Sequence, residues 1–250
     1  MHLDLYSRRN SPIHNWDPRA RLVALFVLIV SVATLQSPAI AAIGFALSLV
    51  VLVVSRISWR RAAANLKWPL LFLLPFLLIL PLTVEGSSIA SLSILSISRE
   101  GINLGLSIFL KGLAAVILAQ VLLASCPFSV TALAMGRLKV PDSLVQIFLF
   151  TYRYIDLLGR ELGSTLRSLD ARGFERRSDC RTAKVLGNAL GALLLHSIAR
   201  SERMFQAMIS RCYRGQLPQS CRWRMNSRDW MKGLVVVGAA LALQFFEMTV

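Results

Sequence analysis

Two segments of this 250-residue chain finish in nearly the same words, Ala171-Arg172-Gly173-Phe174 and Ser210-Arg211-Cys212-Tyr213. An arginine guanidinium makes strong, bidentate, charge-assisted hydrogen bonds to carboxylates. Two such ends suggest a device that inserts into two equivalent sites, as the acidic grooves of a two-fold ATPase dimer would be. The competing chemistry is attraction to anionic lipid, about 1 kcal/mol per Lys or Arg near the surface. Lipid contact accounts for the basic character, but not for the repeated order of Arg, small residue and aromatic.

Other residues that could do chemistry are scattered. Cys126, Cys180, Cys212 and Cys221 form no CxxC and have no His at zinc spacing. All four fall in the basic half read as cytoplasmic, so a disulfide framework is not expected. His2, His14 and His196 are isolated, with no HExxH. Met1-His2 could offer an amine and an imidazole to a divalent ion, but on the wrong side for capture if the N-terminus is cytoplasmic. Asp170 reads as a helix-end partner rather than an acid catalyst. No GxxxxGK[ST] loop occurs, so the chain is not expected to bind ATP itself. No cofactor, metal site or catalytic residue is predicted, and the chain is not expected to be an enzyme. A lipid-modifying membrane enzyme, the first rival reading, needs polar groups clustered at one depth, and the acidic residues here are dispersed. A membrane-anchored scaffold for nucleic acid, the second, has no need of matched tips, so no nucleic-acid partner is expected.

The elements that must position the tips are set by composition. The chain is 55% hydrophobic and 16% charged, where a soluble domain is closer to a quarter charged, and the apolar residues lie in long runs. A membrane-spanning helix needs about 20 mostly apolar residues. Five runs are read as spans: Leu22 to Gln36, expected to extend a little at both ends, Ala39 to Ser55, Pro69 to Val84 with kinks expected at Pro75 and Pro81, Leu104 to Ser125, and Gly233 to Phe246, short unless Trp230 and Met231 belong to it. Asp17 followed by Pro18 is a cap-and-start signal for the first. Met1 to Arg21 is polar and of mixed charge, so no signal peptide is predicted.

Twenty-eight Lys and Arg against thirteen Asp and Glu give a net charge of +15, placed mainly where positive loops face the cytoplasm. Arg8, Arg9, Arg19 and Arg21 precede the first hairpin, and Arg56, Arg60, Arg61 and Lys67 follow it, on the same side as a hairpin requires. Glu85 to Asn103 is Ser-rich with little positive charge and reads as an outer loop. The expected topology is multi-pass in the cell membrane, N-terminus cytoplasmic and C-terminus outside. Lys111 is the exception, an ionisable group at mid-span, which is a functional hypothesis by default or else a structural pairing within the bundle.

Between the fourth and fifth spans, two amphipathic helices are predicted. In the first, Arg153, Arg160 and Arg167 share one face, while Ile155, Leu158, Leu162, Leu166 and Leu169 lie opposite, and Gly173 stops it. The second runs from about Lys184 to Arg211, with Leu190, Leu194, Ile198, Phe205 and Met208 in an apolar stripe. The expected fold is therefore an all-α integral membrane protein with about five spans and two long amphipathic cytoplasmic helices. Its parts are residues 1–125, 126–232 and 233–250: four spans, the helix region, and the last span.

The Ala171-Arg172-Gly173 tip, the Arg200-Ser201-Glu202-Arg203 stretch, and Ala207-Met208 before Arg211 resemble the transmembrane T component of energy-coupling factor (ECF) transporters. Ser11-Pro12-Ile13-His14-Asn15-Trp16-Asp17-Pro18-Arg19-Ala20-Arg21 is similar to the opening of its cobalt and nickel (CbiQ-type) branch. The resemblance spans essentially the whole chain. It implies that the two tips dock into grooves of an ATP-binding-cassette ATPase dimer. It also implies that a separate small membrane subunit captures the substrate, cobalt by this reading, with nickel or a vitamin as alternatives. Ala171, Arg172 and Gly173 match the first motif intact. In the second, Ser210 replaces Ala and Cys212 replaces Gly around Arg211. A second register, Tyr213-Arg214-Gly215, keeps Arg and Gly without the Ala. Arg211 is preferred because Ala207-Met208 precedes it at the family's spacing.

Overall fold

Asp17 opens the first helix as the sequence predicts. Its carboxylate accepts from the Arg19 amide at 3.0 Å, and Pro18 occupies the first turn, where a missing N–H costs nothing. In the computed structural model, which describes residues 16–84, 88–92, 95–175, 177–215 and 227–249, eight helices and one two-stranded hairpin follow in order. They are α1 (Pro18–Thr34), α2 (Pro38–Val54), α3 (Trp59–Thr83), β1 (Ser88–Leu92), β2 (Leu95–Ser98), α4 (Arg99–Ala124), α5 (Phe128–Arg137), α6 (Asp142–Ala171), α7 (Cys180–Ile209) and α8 (Ser227–Thr249). The chain is an all-α membrane protein apart from that antiparallel hairpin, which occupies the Ser-rich connection between α3 and α4. Ser11 to Asn15, His2, His14, Glu85 and Cys221, all invoked from the sequence, lie outside the described residues.

The chain divides into two compact units, residues 2–134 with 223–250, and residues 135–222. In the first, α1 and α8 run parallel. Trp16 Nε1 donates to the Asp229 carbonyl at 3.0 Å near their starts, and Ser31 Oγ donates to the Ala240 carbonyl at 2.8 Å further along. At the other end, Glu247 Oε1 accepts the amides of Gln36 (2.6 Å) and Ser37 (2.9 Å) in the turn between α1 and α2. A carboxylate at the N-terminus of α2 is favourable for the helix dipole. Leu25, Leu28, Val32, Ile117, Leu118 and Val121 are buried among these helices. Arg21 is only 2% exposed, and its guanidinium donates to the Ser125 carbonyl where α4 ends.

Several spans are longer than the apolar runs that predicted them, among them α8, which begins at Ser227 and not Gly233. Helix α3 starts at Trp59, ten residues before Pro69, so Arg60, Arg61 and Lys67 stand in its first turns and not in a loop. Helix α4 starts at Arg99 because Ser98 caps it, its hydroxyl accepting from the Gly101 amide at 3.3 Å. Pro69, Pro75 and Pro81 all lie inside α3. That helix packs along α4 at glycines: a Cβ on Gly101 would sit 2.6 Å from the Leu80 carbonyl oxygen, and one on Gly112 would sit 2.7 Å from a Leu73 methyl. Small residues of this kind let two membrane helices approach closely.

By length and apolar content Ala62–Thr83, Arg99–Ala124, Cys180–Ile209 and Asp229–Thr249 could each cross a membrane, and Pro38–Val54 is a shorter apolar helix. Helix α7 belongs to that group by overall content alone. Arg181, Lys184, Arg200, Glu202 and Arg203 interrupt it, and Leu190, Leu194, Ile198 and Phe205 fall on a helical stripe, so its residue order is that of an amphipathic helix.

Candidate functional site

The second unit is built on α6 and α7, which lie antiparallel. Three side-chain links set their register. Arg200 donates to Glu161 Oε2 at 2.9 Å, with His196 Nδ1 at 3.6 Å from the other carboxylate oxygen. The Tyr154 hydroxyl donates to the Met204 sulfur at 2.8 Å. Gln146 bonds both to the Tyr213 hydroxyl and to the Gly215 carbonyl, the latter at 2.6 Å. The hydrogen bond from Arg200 holds the Glu161 carboxyl below the usual carboxylate range, with the charge of Arg200 and a bond from His196 adding to it.

Each helix ends in the same backbone motif. After α6, the Phe174 amide donates to the Leu169 carbonyl (3.1 Å) and the Gly173 amide to that of Asp170 (3.0 Å), with Gly173 at φ +78°. After α7, the Tyr213 amide donates to the Met208 carbonyl (3.1 Å) and the Cys212 amide to that of Ile209 (2.9 Å), with Cys212 at φ +61°. Both are Schellman caps, in which a left-handed residue turns the chain back and satisfies the last carbonyls. Position for position, Ala171 corresponds to Ser210, Arg172 to Arg211, Gly173 to Cys212 and Phe174 to Tyr213. Cys212 therefore adopts the conformation that glycine takes more cheaply.

Arg172 and Arg211 occupy the same cap position and are both exposed, whereas Arg214 lies beyond the cap. The two ends stand at opposite extremes of the helix pair. Tyr213 lies beside Gln146, and from Gln146 to Ala171 there is about 37 Å of helix at ~1.5 Å per residue. Arg153, Arg160 and Arg167 are exposed on one face of α6, as their seven-residue spacing predicts. The apolar stripe of α7 is uncovered, with Leu194 63% and Phe205 53% exposed. Among the described residues, no group of three His, Cys, Asp or Glu side chains converges to hold a metal ion.

Sequence reading missed the links from Gln146 to Tyr213 and Gly215 and from Glu161 to Arg200. Their partners are 67, 69 and 39 residues apart, and only an antiparallel α6–α7 register would have revealed them.

The chain is 27% identical to the energy-coupling factor transporter transmembrane protein EcfT of Thermanaerovibrio acidaminovorans, across 99% of this chain and 97% of that protein. It is 25% identical to the EcfT of Ruminiclostridium cellulolyticum, across 84% and 82%. It is 22% identical to a Bifidobacterium longum protein whose assigned name is that of an ABC transporter ATP-binding protein, across 91% of this chain and 31% of that longer protein. A family model described as "CbiQ: Cobalt transport protein" matches residues 9–220, most of the chain, and the chain belongs to that family.

Proposed function

We propose that this chain is the transmembrane coupling (T) subunit of an ECF-type importer of cobalt ions. The observation that carries the reading is the pair of identical Schellman caps, each presenting an exposed arginine, at opposite ends of one antiparallel helix pair. The tips formed by Ala171, Arg172 and Gly173 and by Ser210, Arg211 and Cys212 dock into the two halves of an ATP-binding-cassette dimer. The guanidiniums engage acidic groups there through charge-assisted hydrogen bonds. Closure of that dimer on ATP moves the tips, and α6 and α7 pass the movement to a separate membrane subunit that holds the substrate.

Several observations support parts of this reading. Relatives carry the name of the ECF transmembrane protein, and a stretch like this chain forms part of a protein named for ATP binding. The uncovered stripe of α7 suits a chain that binds an apolar partner surface. Parallel α1 and α8, with Arg19, Arg21 and Lys232 in their first turns, favour a cytoplasmic N-terminus and an outward C-terminus. The family description favours cobalt, while the names of the relatives mention no ion, which keeps a nickel or vitamin importer as the second reading.

Uptake separates these readings. Liposomes holding this chain, its ATPase pair and its capture subunit are expected to accumulate radioactive cobalt only with ATP. Accumulation of nickel or a vitamin in place of cobalt overturns the ion. ATP-driven uptake that persists when this chain is omitted overturns the coupling role.

A further inference from the structure

The two tips have the same cap but not the same moorings. The Tyr213 hydroxyl donates to Gln146 Oε1, and Gln146 Nε2 donates to the Gly215 carbonyl at 2.6 Å. One amide side chain on the second turn of α6 therefore grips the second tip twice, once through a side chain and once through backbone. Tyr213 and Gly215 bracket Arg214, and Tyr213 is separated from Arg211 by Cys212 alone, so the grip falls on the residues that set the direction of the second arginine. At the first tip the bonds of Arg172, Gly173 and Phe174 return to Leu169 and Asp170 of α6, and the chain just beyond meets α7 through the Arg177 amide, which donates to Thr182 Oγ1 at 3.4 Å.

The second cap also needs more help than the first. Gly173 takes its positive φ freely, whereas Cys212 takes φ +61° against a steric cost. A side-chain clasp just beyond the strained residue offsets that cost and narrows the conformations of the tip before any partner arrives. Ordering a loop before binding removes an entropic penalty that binding otherwise carries.

We infer that Gln146 is a positioning residue that latches the second tip to the root of α6, so that Arg211 is preorganised by a side chain of the other helix, whereas the described bonds of Arg172 and Gly173 are those of the first helix's own cap. This rests on the docking reading above, and it adds an inequality between the tips: a load on the second tip is delivered at the start of α6, and a load on the first at its end.

The test uses the full chain in lipid nanodiscs, with a spin label on Cys212 after Cys126, Cys180 and Cys221 are replaced by Ser. A control carries the label at Glu175→Cys, beyond the first tip. Gln146→Leu and Tyr213→Phe are each expected to raise the mobility of the Cys212 label and to leave the Glu175→Cys label unchanged. The double variant is expected to behave like either single one. In unlabelled protein, Gln146→Leu is expected to weaken binding of the ATPase pair by about 3- to 10-fold, the scale of one ordered side chain or two. It should do so without lowering the melting temperature of the chain alone by more than Tyr213→Phe does.

An unchanged Cys212 label in both variants overturns the latch. A loosened label with unchanged binding, where Arg211→Ala still weakens binding, overturns its positioning role. If Arg172→Ala and Arg211→Ala both leave binding intact, the docking reading fails, and the positioning role falls with it.

Discussion

Cys212 holds a left-handed backbone at φ +61°, while its counterpart Gly173 sits at +78°. The left-handed region costs an L-residue about 1–2 kcal/mol, and glycine loses about 0.5–1 kcal/mol through its freer unfolded chain. Cys212→Gly is therefore expected to strengthen the second cap by about 0.5–1 kcal/mol, and Gly173→Ala to weaken the first by a similar amount. Exchange of the Tyr213 and Phe174 amides with deuterated solvent measures each directly. Unchanged exchange after Gly173→Ala would sink the cap assignment. Glu161 carries a different consequence. Its folded pKa lies below the ordinary glutamate value, so its pairing with Arg200 contributes above that value and is lost as pH falls through the depressed one. The melting temperature is expected to drop on acidification below about pH 4.5. Glu161→Gln should flatten that acid limb, and an identical limb in both proteins would contradict the assignment. The residue scale was also where sequence served best: Arg172, Gly173 and the Asp17-Pro18 start were legible because caps are local, set within four or five positions.

Helices are legible where their pattern is uniform and obscure where charge interrupts it. Arg60, Arg61 and Lys67 hid the first ten residues of α3, and Arg99 with Glu100 hid the first turn of α4. In each case tertiary packing carried the helix past the apolar run: Ala62 is buried, and Gly101 lies against the Leu80 carbonyl. The β1–β2 hairpin was read as loop because its strands are short and Ser-rich, with a single β-branched residue in each, Ile89 and Ile97, and no aromatic. Glycine packing between α3 and α4 supplies a test at this scale. A methyl on Gly101 meets backbone at 2.6 Å, which no side-chain rotation relieves. Gly101→Ala is expected to destabilise the membrane unit by about 2 kcal/mol, within the range for overpacking. Thermal unfolding of the purified protein checks it. A change no larger than that of Gly238→Ala, where an added Cβ meets nothing within 4 Å, would contradict the packing.

At the scale of the molecule, membership of the CbiQ family and the matched caps point the same way. The family was legible from short motifs spread along the chain. The grip of Gln146 on the second tip and the pairing of Glu161 with Arg200 were not, since nothing in a linear pattern fixes which residues of two antiparallel helices meet. In the second tip Arg211 shares the cap position of Arg172, while Arg214 stands before Gly215, whose φ of +84° resembles the +78° of Gly173, so the docking arginine of that tip is a proposal. The measurement that tests the central claim most directly is capture of the ATP-binding-cassette pair by this chain, comparing Arg172→Ala, Arg211→Ala and Arg214→Ala. The coupling account predicts that the first two each weaken capture by tenfold or more, near the 1.5–3 kcal/mol of a charged hydrogen bond, while Arg214→Ala stays within threefold. If all three bind as the unaltered chain does, the tips are not docking elements, and the coupling role is contradicted.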